Sequence, residues 1–260
     1  MNKTVLAVNA LDPSGATGIS VDLRMVQNFR FFCCPVLTGI YHQNTRTLTS
    51  HYFFPFEQIG QQLDAVFSDL IIHGVKFSGI LDPSLAKLIA SLVGSMKVGW
   101  TVFDPHFFHQ NDRPLLPLDQ IGVICRAFFP AVSCSILTIK EAEALLWRTI
   151  PDVNAMKEAA EAVHAMGAKA VVITGGELEG KATDIFYDGT RENTIEMAKQ
   201  PTENLLGLGD AFGSYLLCSL IKGLQYPQAI QQAKMYLKKT MLHTFPIGKG
   251  LHPINLNTPL

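Results

Sequence analysis

Short runs of apolar residues bounded by Gly, Pro or Asp recur at 4–9, 33–40, 75–77, 101–103, 134–137 and 170–174. None alternates apolar with polar positions as a half-solvated strand does, so each predicts a strand buried on both faces, as in a parallel sheet. Between them, apolar positions at three- and four-residue spacing predict helices over 18–29, 56–70, 84–92, 119–128, and 141–147 continuing with 153–166. Strand and helix alternate, which means βαβ units and a sheet covered on both faces. Farther on, 184–187 and 194–198 flank Asp188-Gly189, a hairpin signal that adds an antiparallel margin to a mainly parallel sheet. Helices over 210–222 and 228–242 close the pattern.

Size and composition fit one continuous α/β domain over 1–260. The 260 residues, 48% of them hydrophobic and 17% charged, suffice for a large core without disulfides, and neither an internal repeat nor a charge block interrupts them. Lys+Arg 21 against Asp+Glu 22 gives a net charge of -1, with no basic surplus for a nucleic-acid backbone or an anionic membrane. The five cysteines are odd in number, lie in apolar runs and form no C-x-x-C pair, the pattern of reduced thiols in a cytoplasm. The first apolar stretch covers only 5–8, and none approaches the roughly 20 residues of a membrane span. The expectation is a soluble, cytoplasmic protein without a targeting segment.

Ligands of a parallel α/β sheet sit at the carboxyl ends of its strands, so the residues after each apolar run carry the candidate chemistry. Gly207-Leu208-Gly209-Asp210 runs straight into an amphipathic helix. Two glycines let the backbone approach an anion, and the helix N-terminus favours a phosphate there. The pattern puts Asp210 at the N-cap, near enough to accept a proton from a hydroxyl attacking a phosphoryl group. It equally suits a plain capping residue. A second loop, Asp12-Pro13-Ser14-Gly15-Ala16-Thr17-Gly18, follows the first strand and precedes a helix bearing Asp22. A third holds Gln43, whose amide both donates and accepts, as a heterocycle edge requires. Asp104 and Glu141, at the ends of strands, suit Mg²⁺, which prefers one or two protein oxygens plus water and phosphate. Thr174-Gly175-Gly176 is placed to meet phosphate oxygens. Each of these, taken singly, also suits a cap or turn. The histidine and cysteine spacings assign no transition metal.

In order along the chain these loops resemble the ribokinase-like superfamily, and within it the hydroxymethylpyrimidine and phosphomethylpyrimidine kinases of thiamine biosynthesis. The family's D-P-S-G-x-x-G-I-x-x-D stands as Asp12 to Asp22 and its Q-N-T as Gln43-Asn44-Thr45. Also similar are Lys76 with Gly79 and Leu81, Asp104-Pro105, Glu141-Ala142, Thr174-Gly175-Gly176 and the tail Gly248-Lys249-Gly250. The resemblance implies a three-layer α/β/α domain that uses ATP and Mg²⁺ to phosphorylate the hydroxymethyl group of an aminopyrimidine, then its monophosphate. It implies substrate contacts from Asp22, Gln43, Ala10 and Ile80, and catalysis by Asp210 with Gly207 and Gly209. ATP would meet Thr174, Gly176 and Leu208, Mg²⁺ would meet Asp104 and Glu141, and the family's habit implies a homodimer.

The pyrimidine side matches the family better than the ATP side. Where the pyrimidine kinases have T-H-G-T-G-C, this chain has Leu205-Leu206-Gly207-Leu208-Gly209-Asp210, with an aspartate typical of ribokinases and pyridoxal kinases. The usual T-P-N is Ile136-Leu137-Thr138, and the usual lysine before Gly-Gly is Thr174. The competing readings are a pyridoxal or pyridoxine kinase, and a diverged paralogue that binds a pyrimidine without turnover.

Overall fold

The structure is a computed structural model and describes residues 3–95, 98–109, 111–202, 205–242 and 244–260. Along the chain run β1 (Thr4–Leu11), α1 (Ile19–Asn28), β2 (Phe32–Gln43), β3 (Leu48–Phe53), α2 (Phe56–Phe67), β4 (Gly74–Phe77), α3 (Pro83–Ser95), β5 (Trp100–Phe103) and α4 (Leu118–Phe128). There follow β6 (Cys134–Thr138), α5 (Ile139–Leu146), α6 (Val153–Ala165), β7 (Val171–Gly175), β8 (Lys181–Tyr187), β9 (Glu192–Ala198), α7 (Leu208–Ile221) and α8 (Tyr226–Leu242). The chain divides into two compact units: Met1–Gly79 with Val98–Trp100 and Gln200–Leu260, and Ile80–Lys97 with Thr101–Lys199.

In the first unit the strands lie in the order β3-β2-β1-β4. β1 is the parallel neighbour of both β2 and β4, pairing Thr4 with Phe32 and Val5 with Gly74. Covered on both sides, it buries 5–10 without interruption, which is why its sequence is apolar rather than alternating. Helix α7 is apolar nearly all round, and each residue over 210–220 is buried, as expected of a helix packed by neighbours on every side. Those neighbours include α1, α8 and β4.

The second unit orders its strands β5-β6-β7-β8-β9. β5, β6 and β7 pair in parallel, then β7, β8 and β9 pair antiparallel, with the predicted hairpin at Asp188-Gly189 joining the last two. Phe103 stacks on Phe128 at 4.3 Å between centroids and anchors α4 on β5.

The sequence pattern differs from the structure mainly after β2. That strand runs on to Gln43 and returns as β3, pairing Gly39 with Phe53 and Tyr41 with His51, so Tyr41 to Gln43 are strand residues rather than loop. β3 reads Leu-Thr-Ser-His-Tyr-Phe and exposes its middle four residues, so no apolar run marked it. It adds a second antiparallel margin that the pattern did not predict. Among the described residues, no helix is long and apolar enough to cross a membrane.

Candidate active site

Asp12 shapes the first loop from the inside. Wholly buried, its carboxylate accepts from the Ser14 backbone N–H and hydroxyl, each at 2.8 Å, and from the Thr17 N–H at 3.1 Å and hydroxyl at 2.9 Å. The Gln43 amide donates to the same carboxylate at 3.1 Å. Arg24, one turn into α1, donates to the carbonyls of Ser20 and Gly15 and ties the loop to its helix. The Asp-Pro-Ser-Gly motif is thus a self-bonded turn in which a short acidic side chain satisfies backbone donors.

That turn ends at Gly18, whose φ of 66° is left-handed and whose missing side chain matters: a Cβ there would stand 2.4 Å from the Ala10 carbonyl oxygen. Gly207, at φ 85°, is held the same way, with a Cβ falling 2.5 Å from the Ala16 carbonyl oxygen. The two glycine-bearing loops therefore lie backbone against backbone. Gly207, not Asp210, is the N-cap of α7; Asp210 is the third residue of the helix. Gly209 is exposed in that first turn and Leu208 half-buried.

Behind this junction is a buried cluster of charged and polar groups. Lys76, at 1% exposure, places its ammonium 2.8 Å from Asp22 Oδ1 and 3.5 Å from Asp210 Oδ1. The Asn9 amide donates to Asp22 Oδ2 at 2.8 Å and to Asp210 Oδ1 at 3.0 Å. Asp22 Oδ1 also accepts from the Ser214 hydroxyl at 2.7 Å, and Asp210 Oδ2 accepts from the Gly18 N–H at 2.8 Å. Burial pushes the Asp22 carboxyl up from its ordinary value, with Lys76 opposing and Asp210 reinforcing the rise. Tyr41 is likewise pushed up, chiefly by burial.

The sequence assigned Asp22 and Gln43 jointly to a substrate, but they have different partners. Gln43 joins Asp12 and Thr17, at 3.3 Å for the latter, while Asp22 is fully enclosed with Asn9, Lys76 and Ser214. Ala10 is buried beside them, its N–H donating to Asn9 Oδ1 at 2.8 Å. Two motifs noted separately in the sequence do meet: the Gly250 N–H donates to the Thr45 hydroxyl at 3.1 Å, and a Cβ at Gly248 would strike that hydroxyl at 2.4 Å.

The second unit carries the other candidates. Glu141 is buried and accepts from the Phe107 N–H at 2.8 Å through Oε1 and from the Thr138 N–H at 2.9 Å through Oε2. With the Thr138 side chain accepting from the Glu141 N–H, it closes a capping box on α5. Burial pushes the Glu141 carboxyl up; His106 and these hydrogen bonds oppose the rise. Asp104, also buried, sits 3.1 Å from His106 Nε2. Thr174 and Gly175 end β7, where the Gly175 N–H donates to buried Asp184 at 3.3 Å, and Gly176 is exposed just beyond. Ile80 is fully buried at the start of this unit.

Asn9, Ser214 and His106 were not singled out as functional from the sequence. Lys76 was noted only as a point of resemblance, although a lone lysine within an apolar strand as short as Gly-Val-Lys-Phe already signals a buried ionic partner.

The profile of the phosphomethylpyrimidine kinase family matches residues 12–255. The chain is 30% identical to the thiamine biosynthesis bifunctional protein ThiED of Geobacter sulfurreducens, over 97% of this chain but only 52% of that protein's length. It is 28% identical to the hydroxymethylpyrimidine/phosphomethylpyrimidine kinase of Aquifex aeolicus, over 94% of this chain and 96% of that one. In fold it is similar to Bacillus subtilis pyridoxal kinase solved with ADP, with a TM-score of 0.89 at 24% identity over 99% and 98% of the two chains. It is also similar to phosphomethylpyrimidine kinase of Clostridium difficile, with a TM-score of 0.79 at 24% identity over 92% and 99%. The architecture is ribokinase-like α/β.

Proposed function

The chain belongs to the phosphomethylpyrimidine kinase family, and from that premise we propose that it transfers the γ-phosphoryl group of ATP to the hydroxymethyl group of an aminopyrimidine, and then to the resulting monophosphate. The observation that carries this reading is Asp210, a buried carboxylate in the first turn of α7, held by the Gly18 N–H, Asn9 and Lys76. Phosphoryl transfer needs positioned charge more than covalent chemistry, and these groups are fixed before any ligand arrives. The substrate hydroxyl oxygen forms the new bond to phosphorus, the bond from phosphorus to the bridging oxygen breaks, ADP leaves, and Asp210 takes the hydroxyl proton. In the first turn of α7 the Leu208 N–H donates to the Leu205 carbonyl at 3.0 Å, so the Gly209 N–H and the helix dipole are what favour the transferred phosphate.

Asp104 and Glu141 fit Mg²⁺ by their chemistry: both are buried hard-oxygen donors, and burial already disfavours the charge on Glu141, a penalty a cation relieves. Because both Glu141 oxygens also hold main-chain N–H groups, this residue would act on the ion through water. Mg²⁺ supplies neutralisation of phosphate charge when bound. Thr174 and Gly176 are assigned to ATP in the second unit.

The test is ADP release coupled to a spectrophotometric readout, with hydroxymethylpyrimidine, its phosphate, pyridoxal and simple sugars as acceptors. The expected result is Mg²⁺-dependent turnover on the two pyrimidines that EDTA abolishes. Turnover confined to pyridoxal would replace the acceptor, and silence with every acceptor would favour a binding protein without catalysis.

Gln43 commits its NH₂ to Asp12 and Thr17, so its Oε1 is the atom assigned to the pyrimidine amino group. Gln43→Leu should weaken hydroxymethylpyrimidine by about 1–3 kcal/mol through the lost hydrogen bond. An unchanged Kd by calorimetry would count against Gln43 as a substrate residue.

A further inference from the structure

We propose that Asn9 and Lys76 are positioning residues for Asp210, both anchored on Asp22, so that Asp22 serves the base rather than the substrate. This rests on the reading of Asp210 as the proton acceptor. Asn9 stands near the end of β1, where the pairing with β2 shifts register between Asn9 and Leu11. Its Oδ1 accepts the Ala10 N–H, which orients the amide and turns Nδ2 to the two carboxylates. Gly79 makes room for that amide, since a Cβ there would lie 2.9 Å from Asn9 Oδ1. Lys76 on β4 pairs with Ala7 on β1, two residues from Asn9, so the two donors rise from the same sheet face.

The partners divide the labour between the acids. Asp22 holds Lys76, Asn9 and Ser214 and has no exposure, so its oxygens are spent inside the protein. Asp210 shares Lys76 and Asn9 with it but takes its third donor from the Gly18 backbone. One amide and one ammonium thereby hold two carboxylates side by side, a placement that like charges would otherwise oppose.

Asn9→Ala removes the bridge. Asp210 then loses a donor that favours its charged form while keeping Asp22 beside it, so the base accepts its proton at higher pH and points less firmly. We expect kcat to fall about 10- to 100-fold, KM for the pyrimidine to stay within about threefold, and the acid limb of the kcat profile to move to higher pH. Other titratable groups facing the cluster are Lys76 on β4, Tyr41 and Cys33 on β2, Asp12 in the first loop and Cys218 on α7.

The discriminating measurement is a double-mutant cycle with Asp210→Asn, with melting temperatures recorded for each protein. If Asn9 acts through Asp210, Asn9→Ala should change the residual turnover of Asp210→Asn by less than about twofold. A wild-type kcat for Asn9→Ala, or an equal fold loss in both backgrounds, overturns the proposal. Should Asn9→Ala not fold, Asn9→Ser, which keeps a short donor, carries the same comparison. If Asp210→Asn itself turns over normally, the assignment of the base fails, and that outcome is read from the single variant alone.

Discussion

Asp210→Asn should lower turnover by on the order of 10²–10⁴ in the ADP-release assay, with the Kd of the pyrimidine nearly unchanged. The geometry makes this a cleaner test than the sequence offered. At an N-cap, asparagine replaces aspartate almost without cost, but Asp210 is the third residue of α7 and the cap is Gly207. Its two oxygens face donors on different elements: the Gly18 N–H on one side, Asn9 and Lys76 on the other. An asparagine retains one acceptor oxygen, and its NH₂ must face a donor on the remaining side. The variant should therefore also unfold more readily, by about 1–3 kcal/mol for a buried donor left without an acceptor. The two losses separate experimentally. The stability deficit appears in urea titrations and does not depend on substrate, whereas the loss of kcat persists at temperatures where the variant is fully folded. Normal turnover by a folded Asp210→Asn protein would remove proton abstraction by this residue from the mechanism.

The strands and helices were largely legible because burial writes a simple code. β1, β4, β5, β6 and β7 are short and covered on both faces, so their sequences are mainly apolar without alternation, with buried Asn9, Lys76 and Ser135 among the polar exceptions. β3 was illegible for the converse reason, being an exposed edge strand whose polar residues look like loop. The site was legible as positions but not as partnerships. Asp12, Asp22, Gln43 and Asp210 were all marked by loops and caps in the sequence, yet nothing in their spacing tells which carboxylate meets which donor. Asp12 and Asp22 are ten residues apart and look equivalent; one closes a turn on itself, and the other is sealed against Lys76, 54 residues away. Pairings of that length depend on the register of β4 beside β1, which is a property of the assembled sheet. Glu141 shows the limit from the other side: its capping box with Thr138 is local, three residues apart, and readable from the sequence, whereas its bond to the Phe107 N–H is not.

The variant expected to cost the most stability is Lys76→Met. The side chain is 1% exposed, and the substitution keeps most of its volume while removing a cation that faces both Asp22 and Asp210. Leaving buried charge without its partner costs on the order of 3–5 kcal/mol, a large share of the 5–15 kcal/mol typical of a folded domain. The pH dependence identifies the cause. The Asp22 carboxyl is raised in the folded protein by burial and restrained by Lys76, so removing Lys76 raises it further. A carboxyl raised on folding contributes stability that is fully present below its unfolded value, here 3.8, and lost as pH rises through the folded one. The window of loss therefore extends upward in the variant, so its deficit against the wild type should grow as pH rises and shrink as pH falls towards 3.8. Urea unfolding at several pH values measures this directly. A deficit that stays constant with pH would assign the loss to packing instead of charge, and no deficit at all would mean that the buried ion cluster does not bear on folding. Adding Asp210→Asn to Lys76→Met should recover part of the loss, because it removes one of the two charges that the methionine leaves facing each other.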